Sequence, residues 1–302
     1  MRANPLNPAP GTTYHGSMIK HTLICALALG LAASSPRAAA QDAYDFYRGA
    51  TFPPPRDAPA AWLAELHKAD DLLGANIAVA TFLPNTRLAW HNHPAGQILI
   101  ITDGVGYYQE QGQTRQIVRK GDVIKCLPGV QHWHGAAVES AFSYVAISPA
   151  QKGPTVWAQP VTDEEYRSPA RDRRTAKPAR KSGASSQAKL LAADTTFPFE
   201  VSSTSLGRGA RLPWHKDGGG QILIVTDGAG YFQEREQQKH LLRKGDIVEN
   251  ARDTEHWYGA ASEIDATFLT ITPVSDAGTK WLTKVTDEEY RANATIYVKH
   301  GE

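Results

Sequence analysis

Cysteine is almost missing: the 302 residues hold two, Cys25 and Cys126, so no disulfide framework can staple the fold. An excess of charge of either sign is missing too. The formal net charge is +1, and without a broad basic field there is no general attraction for nucleic acid. Long hydrophobic runs are absent; the longest, residues 22–33, covers about 12 positions, where roughly 20 are needed to cross the hydrocarbon core. A multi-span membrane protein and a collagen-like chain are therefore excluded. What remains, 41% hydrophobic and 21% charged, is a foldable chain long enough for two ordinary domains.

The start reads as an address. From Met18, Lys20 supplies a positive charge, residues 22–33 an apolar stretch, and Ala38, Ala39 and Ala40 a small-residue cleavage pattern, the features of a secretory signal peptide. Residues 1–40 are thus expected to be a leader cut before Gln41, leaving a periplasmic or secreted protein with no membrane anchor. Residues 1–17 look like an over-extended start, and Cys25 departs with the leader.

The rest of the chain repeats itself. WHNHPAGQILIITDGVGYYQE from Trp90 realigns without a gap on WHKDGGGQILIVTDGAGYFQE from Trp214, an offset of 124. RKGD, HWHGA/HWYGA and VTDEEYR keep the same register, as do the pairs Trp90/Trp214, Trp133/Trp257 and Trp157/Trp281. The period is too long for a solenoid, so each copy is expected to be a domain with its own core, over residues 41–167 and 191–302. Between them, residues 167–189 carry eight Lys or Arg and one acid, which predicts a basic flexible linker over 168–190.

Within each copy, short β-branched runs closed by Asp-Gly, such as QILIITDG, predict an antiparallel all-β sandwich or barrel. One segment departs from this rhythm. In residues 60–74, Trp62, Leu63, Leu66 and Leu73 fall near helical spacing, which predicts a short helix packed outside the first barrel.

His91 and His93 lie two apart on an expected strand, so both imidazoles emerge on one face. Gln97 follows a Pro-Ala-Gly bend, and His132 and His134 come from a later strand. Imidazoles converging from separate strands are what a divalent transition metal requires. Tyr107, Tyr108, Trp90 and Trp133 either line that pocket or form core; Cys126 reads as a small buried hydrophobe. His67, His240 and His300 have no companions and are expected at the surface.

The pattern His91-x-His93-x3-Gln97-x6-Gly104, followed by Gly121-x5-Leu127-x-Gly129-x2-His132, resembles the two motifs of the cupin family. Gln97 replaces the usual glutamate, Leu127 the usual proline and Ala136 the frequent asparagine. More narrowly, WHNHPAGQ, LPGVQHWHGA and VTDEEYR resemble the small cupins related to manganese-dependent hydroxynitrile lyases and those fused to carboxymuconolactone decarboxylase-like domains. The resemblance implies two tandem jelly-roll (double-stranded β-helix) barrels. It also implies a divalent metal held by His91, His93, Gln97 and His132, with manganese expected and iron or zinc as alternatives. Four neutral ligands leave the ion's charge uncompensated, which favours Lewis-acid work on a small hydroxylated or carbonyl compound. His134 is then either a proton carrier or a residue that holds His132 in place.

At the 124 offset the ligands become His215, Asp217, Gln221 and His256, His134 becomes Tyr258, and Pro128-Gly129 becomes Arg252-Asp253. The second copy is expected either to keep a metal with an added carboxylate or to serve as a packing surface for the first, with homo-oligomers forming through the sheets. Three functions follow: a metal-dependent lyase or isomerase, a cupin that binds a small ligand or metal without chemistry, or a metal-dependent dioxygenase. Gln97 speaks against the last, because a carboxylate helps stabilise an oxidised metal.

Overall fold

The computed structural model describes residues 61–173 and 185–298. The expected leader and signal peptide, the centre of the basic linker and His300 lie outside the described residues. Among those described, no helix is long and apolar enough to cross a membrane.

Each copy folds as a barrel of ten strands. In the first, β1 (Ala61–His67), β2 (Ala75–Phe82), β3 (His91–Asn92), β4 (Gln97–Glu110), β5 (Arg115–Arg119), β6 (Val123–Cys126), β7 (His132–Ala136), β8 (Phe142–Pro149), β9 (Val156–Trp157) and β10 (Ala170–Asp172) form one sheet system. Its path is β1-β2-β8-β4-β7-β3-β9, with β5 and β6 also on β4. The long β4 joins the two faces of the jelly roll: its first half pairs with β6 and β8, its second with β5 and β7. The bend sits at a bulge between Ile101 and Asp103. Gly104 follows it at φ 70°, where a Cβ would fall 1.8 Å from the Ala141 carbonyl oxygen, so only glycine fits.

The second barrel repeats this plan through β11 (Ser186–Leu191), β12 (Phe199–Leu206), β13 (His215–Asp217), β14 (Gln221–Glu234), β15 (His240–Arg243), β16 (Ile247–Asn250), β17 (His256–Ala260), β18 (Ala266–Pro273), β19 (Thr279–Trp281) and β20 (Thr295–Ile296). The apolar runs that open β4 and β14 are buried on both faces, which is why they do not alternate with polar residues. Leu99 and Ile101 point into the first barrel, Leu223 and Val225 into the second. Ile98 and Ile100, with Ile222 and Ile224, enter one cluster shared by both barrels, together with Ile77, Val145, Phe199 and Leu269. The copies therefore meet sheet to sheet.

The VTDEEYR repeats form two short helices, α1 (Asp163–Arg167) and α2 (Asp287–Arg291), each opened by a capping box, Thr162 with Glu165 and Thr286 with Glu289. Tyr166 and Tyr290 donate their hydroxyls to the carbonyls of Ala136 and Ala260 at 2.7 and 2.8 Å, which ties each helix to the strand that carries a site histidine. Trp90 and Trp133 pack there with Val161 and Tyr166, so they are core behind the site.

Two expectations are corrected. Residues 61–67 are not a helix; they are strand β1, antiparallel to β2 with Ala61 opposite Phe82 and Ala64 opposite Val79. A lone helix of that length has little stability of its own, whereas the open edge of β2 offers a row of unpaired N–H and C=O groups. A bulge between Glu65 and His67 lets Leu66 join the shared core. The duplication carried the signal: SQAKLL, at the equivalent place in the second copy, has no amphipathic helical pattern and is β11. The basic segment is likewise not linker throughout, because Ala170–Asp172 pairs in parallel with β5 and Ser186–Leu191 pairs antiparallel with β12.

Candidate metal centre

His91 on β3 lies directly opposite His132 on β7, so the register alone puts both imidazoles on the inner face. His93, in the turn after β3, and Gln97, the first residue of β4, complete the group. Ring centroids of His91, His93 and His132 lie 4.5 to 5.6 Å apart, and one nitrogen from each can be chosen so that all lie within 4.8 Å of one another.

The hydrogen bonds around the rings decide which atoms are free. Nδ1 of His91 donates to the Ala89 carbonyl at 2.8 Å and Nδ1 of His132 to that of Val130 at 2.9 Å, which leaves each Nε2 with its lone pair. Nδ1 of His93 meets the Thr155 hydroxyl at 3.3 Å. The amide nitrogen of Gln97 donates to Ser148 Oγ at 3.2 Å. Nε2 of His93, Nε2 of His132 and Oε1 of Gln97 are then buried with no hydrogen-bond partner. Unpaired buried acceptors are costly, and a cation among them supplies the partner each lacks. The residues present fit a divalent ion.

Burial, reinforced at each by a neighbouring imidazole, lowers the pKa of His91, His93 and His132 from 6.5 to about 4. All three imidazoles are neutral at pH 7. His134 stands beside them, its ring 5.1 Å from that of His91 and 5.8 Å from that of His132. It is 1% exposed, neither ring nitrogen has a hydrogen-bond partner, and Phe82 and Tyr144 pack against it edge to face. Burial holds its pKa well below the ordinary value, and the three neighbouring imidazoles add to that. A cavity of about 470 Å³ touches the group at His93 and Ser148 and is also lined by Asn76, Ala95, Pro154 and Thr155. No charged side chain lines it.

Sequence reasoning missed three of these neighbours. Ser148 orients Gln97, Thr155 meets His93, and the Trp157 ring lies 4.9 Å from that of His91. All three are repeated by type at the 124 offset, as Thr272, Thr279 and Trp281, and that pairing was the available signal. His67 is a further correction: it is 3% exposed at the junction of the barrels rather than at the surface. A histidine without a duplicated companion gave no hint of a partner from the other barrel.

The second barrel brings His215, Asp217, Gln221 and His256 together in the same way, with His215 opposite His256 and their rings 4.2 Å apart. Its chemistry differs. Asp217 accepts from Thr279 on Oδ1 at 2.5 Å and from the Gln221 amide on Oδ2 at 3.1 Å. His256 Nε2 and Gln221 Oε1 have no hydrogen-bond partner, although Asp217 Oδ2 lies 3.8 Å from that nitrogen. Burial raises the pKa of Asp217 against the opposing effects of Thr279 and His215, and lowers that of His256 to about 3. Tyr258, in the place of His134, is buried and its pKa is raised by that burial, so it stays a neutral phenol.

Comparison with known proteins agrees with this architecture. A family model described as a cupin domain matches residues 78–148 and 204–272. An (R)-mandelonitrile lyase of Granulicella tundricola is 41% identical over 116 residues, 36% of this chain and 88% of the relative. The chain is a tandem cupin. This cupin also shares its fold with solved structures of low sequence identity. Hazelnut (Corylus avellana) vicilin has a TM-score of 0.56 at 13% identity, covering 79% of this chain and 87% of its own. Lactobacillus farciminis oxalate decarboxylase has a TM-score of 0.54 at 11% identity, covering 78% and 86%.

Proposed function

We propose that this cupin is an extracytoplasmic, metal-dependent lyase or isomerase acting on a small hydroxylated or carbonyl compound, with the first barrel as the active one. The observation that carries the reading is the set of buried, unpartnered and uncharged acceptors on His93, Gln97 and His132 beside His91. The kinship with a mandelonitrile lyase supports a hydroxynitrile as the first substrate to try. His91, His93, Gln97 and His132 would hold the divalent ion, manganese by expectation, with iron or zinc as alternatives. Bound there, the ion supplies Lewis acidity toward a substrate oxygen.

The chain's own groups do the rest. His134 is neutral, held by Phe82 and Tyr144, and offers a lone pair on the face its neighbours share. It takes the proton of the substrate hydroxyl as the carbon–carbon bond opens to a carbonyl. It then returns that proton to the carbon that leaves with the bonding electrons. The uncharged cavity wall suits a neutral substrate, because a carboxylate entering it meets no lysine or arginine. The test replaces His91 and His93 together by Ala and measures metal content by elemental analysis beside the cleavage of hydroxynitriles. Loss of both is expected. Undiminished cleavage by metal-free protein sinks the proposal.

A further inference from the structure

Two of the junctions between the barrels are ones that the duplication should have made alike. In one, Lys125 of β6 forms an ion pair with Asp194, whose Oδ1 also accepts the backbone N–H groups of Thr196 and Phe197 at 2.8 and 2.9 Å. In the other, Asp70 caps its turn in the same way, accepting from Leu72 and Leu73 at 2.8 and 3.0 Å. The residue facing it, 124 positions after Lys125, is Glu249 of β16. Two carboxylates stand where the sister junction has an acid and a base.

His67 fills the gap. Its counterpart at the 124 offset is Leu191, an apolar member of the shared core. His67 Nδ1 lies 3.0 Å from Glu249 Oε1 and Nε2 lies 3.5 Å from Asp70 Oδ1. The ring is 3% exposed, yet Nε2 has no hydrogen-bond partner. The carboxylates are open to solvent, at 50% and 37% exposure, so an ion has a path in and water can complete its shell. One atom from each of His67, Asp70 and Glu249 can be chosen with all three within 4.8 Å of one another.

We infer that His67, Asp70 and Glu249 form a divalent-cation site that joins the two barrels, separate from the site inside the first. An imidazole with two carboxylates is a borderline donor set that suits zinc or a neighbouring first-row ion. The ion would bind both carboxylates at the place where the sister junction pairs Asp194 with Lys125. Because its ligands come from both copies, binding favours the docked arrangement by mass action.

The experiment uses the full chain, stripped of metal and titrated with zinc alone, in a background where His91 and His93 are Ala. Glu249→Lys with His67→Leu writes the sister junction's residues into this one, so the interface keeps a partner for Asp70. Glu249→Gln, nearly isosteric, is the second variant. Each is expected to bind one equivalent of zinc fewer by equilibrium dialysis, or the same equivalent at least tenfold more weakly, and to lose the zinc-dependent rise in melting temperature. Unchanged stoichiometry and affinity in both variants overturns the inference. So does a parent that takes up no zinc outside the second barrel, which would leave His67 as a hydrogen-bonding wedge only. Neither result bears on the first barrel's site.

Discussion

The two barrels leave the same two acceptors unpartnered, Oε1 of Gln97 or Gln221 and Nε2 of His132 or His256, and differ at the position beside them, where His93 stands in the first and Asp217 in the second. Both share the register, the Trp and Tyr core behind the site and the capped helix. In the first, Gln97 turns its amide nitrogen to Ser148 and keeps Oε1 free. In the second, the Gln221 nitrogen goes to Asp217, whose other oxygen is taken by Thr279. The loop before the later histidine differs as well: Pro128-Gly129 is open, whereas Arg252 donates to the Asp71 carbonyl at 2.7 Å and Asp253 pairs with Lys216 at 3.4 Å. Scaffold and site are thus separable. The same barrel carries either an imidazole or a hydrogen-bonded carboxylate at the position of His93 and Asp217.

The sharpest way to break the comparison is His134, because its counterpart Tyr258 has no proton to exchange near neutrality. His134→Gln is expected to lower kcat by about 10²–10⁴-fold with metal content unchanged, and Tyr258→Phe to change neither. Steady-state cleavage with elemental analysis reads both, and equal effects at the two positions would erase the distinction between barrels.

Next comes pH. The imidazoles of His91, His93 and His132 titrate near 6.5 in the unfolded chain and near 4 in the folded one. Since the unfolded state takes protons first, stability of the metal-free protein is full above about pH 6.5, falls as pH drops toward 4 and levels off below it. Metal affinity of the folded protein is expected to stay flat from pH 8 to 5 and then fall, by about tenfold per unit for each imidazole protonated. Melting curves in chelator and metal titrations across pH check the two limbs separately.

The ligand loops also depend on the opposite barrel. Phe197 of the second copy packs on Gly96, with its Cζ 2.9 Å from where a Cβ would sit, and Leu72 of the first covers Gly220 in the same manner. Phe197→Ala is expected to cost about 3–5 kcal/mol and to speed metal loss from the first barrel without touching a ligand. Denaturation with metal off-rates measures it; an unchanged off-rate would confine Phe197 to packing.

How much of this was legible in the sequence follows from which interactions are local. Strand alternation, Asp-Gly turns and the Thr162–Glu165 capping box act over a few residues, so the barrels and their duplication could be read directly. That His91 and His93 share a face was legible from their spacing, and the full group with Gln97 and His132 came from the resemblance to the cupin motifs. β1 could not be read, because it is a strand only by virtue of the β2 edge. The roles of Ser148, Thr155 and His67 were hidden for the same reason: each depends on a partner distant in sequence, and for His67 that partner lies in the other barrel.

The smallest expected effect lies in the loop that separates the sites most visibly. Asp253 holds φ 59°, the left-handed conformation that Gly129 holds at 72° in the first barrel. A residue with a Cβ pays about 1 kcal/mol there, and the surface pair with Lys216 returns between 0 and about 1 kcal/mol. Asp253→Gly is therefore expected to be neutral or to stabilise by less than about 1 kcal/mol, measured by denaturant midpoint at low and high salt. The salt series is the discriminating part: if the ion pair offsets the strain, the glycine variant gains on the parent as salt rises. A loss of more than about 1 kcal/mol on the scale of these terms would mean that Asp253 does more than close the loop. The N–H of Asp253 already donates to the Asp217 carbonyl at 2.9 Å, a bond that glycine preserves, so such a loss would have to come from the carboxylate.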